Sequence, residues 1–171
     1  MNLHLRAFIF CLLSGALLGS CSPSPNGGCQ SAWMPAGERL LGNQAPDFTI
    51  PNLAGEKVVL SKLSQEKPTL LVFWASWCPT CNEEIPVLNQ WAGLYPDLQI
   101  VGVNVQEPAE RVRTFVKKRN IRYAVLLDEE GEVAEQYGLV GIPASVLLAK
   151  GGKIIYYGFS LPQDVDQLIK A

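Results

Sequence analysis

Residues 69–81, TLLVFWASWCPTC, decide the fold of this 171-residue chain. The apolar run 69–75 predicts a strand buried on both faces, and residues 82–91 predict a helix. Cys78 therefore falls at a strand-to-helix turn, where free backbone N–H groups and the positive end of the helix dipole stabilise a thiolate. This setting, with Cys81 one helical turn further on, indicates a dithiol–disulfide redox centre.

Strands and helices alternate around this segment. Residues 47–60 predict an N-terminal β-hairpin, and Ser61 is expected to cap a short helical turn. The remaining elements are strands at 69–75, 98–103, 123–127, 144–149 and 154–157, and helices at 79–94, after Pro108, around 133–137 and at 162–169. Strands joined through helices need right-handed crossovers, so we expect an α/β fold with a mixed central sheet flanked by helices.

The composition indicates a globular protein, since 48% of the residues are hydrophobic and 18% are charged. The net charge is -2 and there is no basic tract, which argues against nucleic acid as a partner. The length fits one domain with an attachment, and we place that domain at residues 41–171. We expect it to be a monomer.

The N-terminus has the features of a secretory signal. Residues 1–20 contain a basic residue, Arg6, followed by a short apolar centre, although an uncleaved N-terminal anchor remains an alternative. The end of this segment, LGSC at residues 18–21, resembles the lipobox of bacterial lipoproteins. That resemblance implies cleavage before Cys21 and lipid attachment to it. Residues 21–40 then form a flexible tether between the membrane and the domain.

The five cysteines differ in their expected fates. Cys11 leaves with the signal and Cys21 carries lipid. Cys29 in the tether is a free thiol or an intermolecular partner, and an incidental tether residue is its ordinary interpretation. We expect neither a metal nor another cofactor. A zinc site needs four ligands, but the only histidine is His4 and there is no second cysteine pair. Covalent haem would need a histidine at position 82, which is asparagine.

The active-site segment resembles that of thioredoxin-fold proteins. Residues 81–86, CNEEIP, complete the pattern C-x-x-C-x-x-E-x-P of the TlpA/ResA-like branch, and residues 101–105 and 137–143 also fit that branch. The resemblance covers about residues 41–171. It implies a thioredoxin fold and an extracytoplasmic, often membrane-tethered thiol–disulfide oxidoreductase that reduces protein disulfides, in some members those of apocytochrome c before haem attachment.

The resemblance also implies roles for individual residues. Cys78 attacks a substrate disulfide, and Cys81 resolves the mixed disulfide. Pro143 is cis and lies beside the cysteines, which exposes the backbone of Ile142 for pairing with a substrate chain. Trp77 is expected to cover the disulfide. Because an oxidising compartment does not keep a dithiol reduced, a reductase would receive electrons from a thiol-transporting membrane protein, whereas an oxidase would need the reverse flow. We expect reduction.

The chain departs from the pattern of the family that it resembles at positions that affect proton transfer. Thioredoxins carry a buried aspartate where this chain has Val72, and some relatives have an acidic residue where it has Pro79 or Thr80. Glu84 is the family-matched candidate proton acceptor for Cys81, although a solvated helix residue is its ordinary interpretation, and water is an equal candidate. Ala144 replaces a threonine that is frequent in the family.

Two other function classes stay open. A peroxiredoxin-like thiol peroxidase shares the fold and the Asp47-Phe48-Thr49 start, but it would use an isolated cysteine with a supporting arginine. A non-enzymatic lipoprotein binding module would use the cysteine pair as a structural staple. A loop this short gains little stability from closure, which makes a staple a poor explanation.

Overall fold

The computed structural model describes residues 37–170. The predicted signal, Cys21, Cys29 and the predicted tether as far as residue 36 lie outside the described residues. Residues Glu38–Leu40 form a 3-10 turn, and Leu40 packs against the core, so the end of the predicted tether belongs to the packed structure.

The described residues contain strands with the bounds Thr49–Pro51 (β1), Lys57–Val59 (β2), Thr69–Trp74 (β3), Gln99–Val105 (β4), Ala124–Asp128 (β5), Ala144–Leu148 (β6) and Ile154–Gly158 (β7). A five-stranded mixed sheet forms the centre of the domain, in the order β5-β4-β3-β6-β7. β3 runs parallel to β4, and β4 runs parallel to β5, whereas β6 is antiparallel to both β3 and β7. A separate antiparallel pair, β1 and β2, forms the N-terminal hairpin.

Helices connect the strands and cover both faces of the sheet. Their bounds are Leu60–Glu66 (α1), Pro79–Leu94 (α2), Ala109–Arg119 (α3), Glu132–Gln136 (α4) and Val165–Leu168 (α5). The predicted element order and the α/β thioredoxin fold with an N-terminal hairpin are therefore confirmed. Within residues 37–170, no helix combines the length and apolar character needed to cross a bilayer.

The alternation of side chains along β3 divides the core into layers. Leu71 and Phe73 pack on one face with residues of the hairpin, α1 and α4, whereas Leu70 and Val72 pack on the other face with residues of α2 and α5. All four side chains are almost fully buried, which explains why the strand is apolar without alternation. Each fully buried leucine or phenylalanine contributes about 1.5–3 kcal/mol.

Two predicted helix ends were wrong. Ser61 lies inside α1, which begins at Leu60, and its backbone N–H donates to Asp47 Oδ1 at 2.9 Å. The carboxylate of Asp47, just before β1, thus bonds to a free N–H group at the helix start, where Ser61 was expected to be the cap. The last helix spans only Val165–Leu168, because the chain from Pro162 to Asp164 does not yet adopt helical geometry.

Gly102 on β4 leaves room for Trp74 beneath the active-site loop. A Cβ atom at position 102 would lie 2.8 Å from Nε1 of Trp74 and 3.0 Å from the ring of Tyr123. Trp74 is buried and belongs to the apolar cluster that contains Cys78 and Cys81. The missing side chain therefore leaves room for the indole in the apolar cluster that includes both cysteines.

Candidate active site

Cys78 and Cys81 form a disulfide at the start of α2. Cys78 is the N-cap residue, its Sγ accepts a hydrogen bond from the backbone N–H of Cys81 at 3.2 Å, and Pro79 occupies the first turn, where a missing N–H costs nothing. Both cysteines are buried. When the pair is reduced, the same N–H and the helix dipole favour the thiolate of Cys78 over the thiol.

The segment before β6 brings Ile142 and Pro143 to this disulfide. The Ile142–Pro143 peptide is cis, as expected from the resemblance. The carbonyl oxygen of Ile142 lies 3.9 Å from Cys78 Sγ. Within residues 37–170, neither the N–H nor the C=O of Ile142 pairs with another backbone group. An incoming extended chain could therefore bond to this backbone directly beside the reacting sulfur.

Trp77 and Ile142 line one cleft next to the disulfide. The cleft has a volume of about 430 Å³, and its lining includes Gln106, Glu130, Glu135 and Val140. The side chain of Trp77 is 65% exposed, so most of the indole faces solvent. An exposed tryptophan beside an open cleft is typical of a contact surface for another chain.

Glu84 lies on α2, three residues after Cys81, which puts the two side chains on the same part of the helix. The side chain is partly buried, and its Oε2 atom has no hydrogen-bond partner among the described residues. Burial raises the pKa of this carboxyl from 4.5 to about 7, against the opposing hydrogen bond from the backbone of Leu161. The expectation of an ordinary solvated glutamate was therefore wrong, because α2 turns this carboxyl into the protein.

The phenol of Tyr123 is affected by the charge of the Glu84 carboxyl. Burial raises the pKa of its phenol, and the negative charge of Glu84 raises it further. Tyr123 packs against the apolar cluster that contains Val72, the position at which thioredoxins have an aspartate. In this chain Val72 supplies no acidic group on that side of the sheet, and the charge of Glu84, on α2, acts on Tyr123.

A second carboxylate near the site, that of Glu107, was not singled out by the sequence pattern. Glu107 is 2% exposed. It accepts hydrogen bonds from the Ser76 backbone N–H at 2.6 Å, from the Ser76 hydroxyl, and from Asn104 Nδ2 at 2.8 Å, while Arg111 Nη1 lies 3.9 Å away. The residue follows a buried strand and precedes Pro108, a position that fits an ordinary solvated loop equally well. Only its contacts reveal that it holds the loop leading to Cys78.

Comparison with known proteins identifies the family. Residues 41–157 match the AhpC/TSA family. The thiol-disulfide oxidoreductase ResA of Bacillus thuringiensis subsp. konkukian is 32% identical over 117 residues, which are 67% of each chain. A protein of Chlorobium tepidum assigned as a thiol:disulfide interchange protein DsbE superposes with a TM-score of 0.69 at 29% identity, covering 76% of this chain and 95% of that one.

A third similar protein is a secreted disulfide oxidoreductase of Mycobacterium tuberculosis, homologous to E. coli DsbE. Its structure superposes with a TM-score of 0.61 at 31% identity and covers 78% of this chain and 95% of its own. The family match spans more than half of the sequence and includes both cysteines and the cis-proline segment. The chain belongs to the AhpC/TSA family and is a thiol–disulfide oxidoreductase of the ResA and DsbE type.

Proposed function

We propose that the protein is an extracytoplasmic, membrane-tethered reductase of protein disulfides, with Cys78 as the attacking thiol and Cys81 as the resolving thiol. The observation that carries this proposal is the position of Cys78 Sγ, at the start of α2 and 3.9 Å from the carbonyl oxygen of Ile142. The helix start favours the thiolate, and the unpaired backbone beside it suits an extended protein substrate.

The reaction is an exchange of two electrons between a dithiol and a disulfide. The Cys78 thiolate attacks one substrate sulfur, and the other substrate sulfur leaves as a thiolate that takes up a proton. Cys81 then loses its proton and attacks Cys78 Sγ in the mixed disulfide. The substrate sulfur that was bound to Cys78 leaves as a thiolate and is protonated in turn. The substrate ends as a dithiol, and the enzyme holds the Cys78–Cys81 disulfide.

Glu84 is the proton acceptor that we assign to Cys81. A general base works best when its pKa is close to the working pH, and the pKa of this carboxyl is raised to about 7. Its place one helical turn after Cys81 and the unpartnered Oε2 atom support this role. Water stays the alternative acceptor, and the two differ in the expected pH dependence of the resolving step.

Substrate binding is assigned to Trp77, Ile142 and Pro143. The Ile142 carbonyl lies 3.9 Å from Cys78 Sγ, and the exposed indole of Trp77 offers an apolar surface in the adjoining cleft. Main-chain pairing provides affinity without strict sequence requirements, which suits a protein substrate. Ala144 contributes no hydroxyl at this site, and it is buried in β6.

The N-terminal sequence supports the proposed place of action. Lipid on Cys21, joined to the domain by the residues that follow it, would hold the domain at the outer side of a bacterial membrane. There a reductase needs a supply of electrons, for which we propose a thiol-transporting membrane protein. Proteins with cysteines that must stay reduced, such as apocytochrome c during cytochrome c maturation, are the substrates that the family resemblance favours. The domain is proposed to act as a monomer.

The test is to trap substrates with a Cys81→Ser variant of the full chain. This variant forms the mixed disulfide on Cys78 and cannot resolve it, so captured proteins are released by reductant and can be identified. A Cys78→Ser variant is the matched control and should capture nothing while remaining folded. Unfolding of that control would support the structural-staple alternative, and rapid consumption of hydrogen peroxide by the reduced wild-type protein would support the peroxidase alternative.

A further inference from the structure

We propose that the cleft beside the disulfide selects substrate segments that carry a lysine or arginine close to the reacting cysteine, through the carboxylates of Glu130 and Glu135. This inference rests on the proposed reduction of protein disulfides and names the chemistry of the segment that binds. Both carboxylates line the same cleft as Trp77 and Ile142, and both are exposed.

The charges of the domain are segregated around the site. Between Arg122 and Lys150 the sequence contains no lysine or arginine, but it contains five acidic residues, all within 128–135. The basic residues of α3 lie on a different element, between Arg111 and Arg119. Because the acidic segment forms the turn after β5 and the helix α4, one wall of the cleft carries negative charge without a basic residue to neutralise it.

Structural roles account for some of these acidic residues but not for the two in the cleft. Asp128 is buried and accepts hydrogen bonds from the backbone N–H groups of Val133 and Ala134, which satisfies the start of α4. Glu129 accepts a hydrogen bond from the backbone N–H of Ala109. Within residues 37–170, the side-chain carboxylates of Glu130 and Glu135 have neither a hydrogen bond nor an ion pair.

The remaining surface of the cleft suits the stem of a long basic side chain. Val140 is 78% exposed and Trp77 is 65% exposed, so both offer apolar contact to the methylene groups of lysine or arginine. The exposed indole also attracts a cation over its face. A substrate chain paired with the backbone of Ile142 would thus place a neighbouring basic side chain between apolar surface and two carboxylates.

The size of the effect follows from the exposure of the charges. An exposed ion pair changes an equilibrium or a rate up to roughly fivefold, and charges at the rim of an interface act mainly on the association rate and its salt dependence. Pairs of one basic side chain with Glu130 and with Glu135 predict a second-order rate constant roughly five- to tenfold higher for a basic segment than for an uncharged one at low ionic strength. That preference should shrink as salt screens the charges.

The experiment compares three synthetic peptides that differ at one position. Each peptide has one cysteine joined by a disulfide to 2-mercaptoethanol, and the position two residues away holds lysine, norleucine or glutamate. The second-order rate constant for reduction by the reduced wild-type protein is measured at low and high ionic strength. We expect the lysine peptide to react five- to tenfold faster than the norleucine peptide at low salt, and the glutamate peptide to react more slowly than both.

Variants that remove or reverse the charges of Glu130 and Glu135 test whether the preference for the lysine peptide arises in the cleft. In a Glu130→Gln/Glu135→Gln double variant, the ratio of the lysine rate to the norleucine rate should fall to about 1, and charge reversal in Glu130→Lys/Glu135→Lys should favour the glutamate peptide. Glu132→Gln is the matched control, because Glu132 is an exposed acidic residue of α4 that does not line the cleft. It should retain the wild-type ratio.

Each outcome separates this inference from the function on which it depends. If the reduced wild-type protein fails to reduce the uncharged bis(2-hydroxyethyl) disulfide and all three peptides, the proposed function itself is wrong. If it reduces them all and the three peptides react at equal rates, the selection of basic segments is overturned. The same conclusion holds if Glu132→Gln abolishes the preference as fully as the double variant does, because the effect is then general electrostatics.

Discussion

The carboxylate of Glu107 accepts hydrogen bonds from both the backbone N–H and the hydroxyl of Ser76, two residues before Cys78. The same carboxylate accepts a hydrogen bond from Asn104, and the carbonyl of Ser76 accepts one from Asn82 Nδ2 at 3.3 Å. The loop that leads to the reactive cysteine is therefore tied to the end of β4 and to the first turn of α2.

Replacing Glu107 with alanine should destabilise the protein by about 2–4 kcal/mol, because the partly buried donors of Ser76 and the buried donor of Asn104 lose their acceptor. Urea unfolding of the oxidised protein measures this change. Glu66→Ala, which removes an exposed glutamate at the end of α1, is the control and should change the free energy of unfolding by less than about 0.5 kcal/mol. A loss below about 1 kcal/mol for Glu107→Ala would contradict the anchoring role.

Replacing Glu84 with glutamine should slow the resolving step above neutral pH. The carboxyl, with its pKa raised to about 7, is ionised there and can accept the proton of Cys81. General bases contribute about 10²–10⁴ in rate, and we expect at least a tenfold loss at pH 8. Stopped-flow measurement of the decay of the mixed disulfide tests this, with Glu83→Gln as an exposed control on the same helix. An unchanged pH profile for Glu84→Gln would assign the proton to water.

The same carboxyl predicts a pH dependence of stability. The unfolded carboxyl ionises near 4.5 and the folded one near 7, so between these values the folded state holds a proton that the unfolded state has lost. The contribution of Glu84 to the free energy of unfolding therefore falls as pH rises from about 4.5 to about 7. We subtract the free energy of unfolding of the wild type from that of Glu84→Gln. This difference should be more positive at pH 8 than at pH 4. Urea unfolding at both values checks the sign, and a reversed order would show that the carboxylate is stabilised in the fold.

Replacing Trp77 with alanine should reduce exchange with protein disulfides without destabilising the fold. The side chain is 65% exposed, so the free energy of unfolding should change by less than about 0.5 kcal/mol. Loss of an aromatic contact of about 1–2 kcal/mol to a bound chain predicts a five- to thirtyfold lower second-order rate constant. Leu94→Ala, an exposed apolar residue at the far end of α2, should change neither quantity. Equal rates for Trp77→Ala and the wild type would remove Trp77 from the binding surface.

Replacing Cys21 with serine in the full chain should prevent lipid attachment and release the protein from the membrane. Fractionation of expressing bacteria, together with incorporation of labelled palmitate, measures both effects. Cys29→Ser is the control and should leave the lipid and the fractionation unchanged. If the Cys21→Ser protein stays in the membrane at its full length, the N-terminal segment is an uncleaved anchor.

Much of the fold could be predicted because its signals are local. The run of apolar residues before Cys78 predicted β3, and the apolar spacing after Pro79 predicted α2 with its observed bounds, Pro79–Leu94. The ends of α1 and α5 were harder to predict. At the start of α1, the backbone N–H of Ser61 donates a hydrogen bond to the carboxylate of Asp47, fourteen residues earlier in the chain. The sequence around Ser61 does not reveal a partner so far away.

The candidate site divides in the same way. The sequence by itself determines the spacing of Cys78 and Cys81, their place at a helix start, and the order of strands and helices along the chain. Each of these depends on neighbouring residues. The position of Ile142 beside Cys78 was expected from the family resemblance, whereas the burial of Glu107 and the partly buried carboxyl of Glu84 were decided only by the tertiary structure. They depend on how β3 pairs with β4 and β6 and on how α2 packs against the sheet, which joins residues tens of positions apart and sets the burial that shifts a pKa.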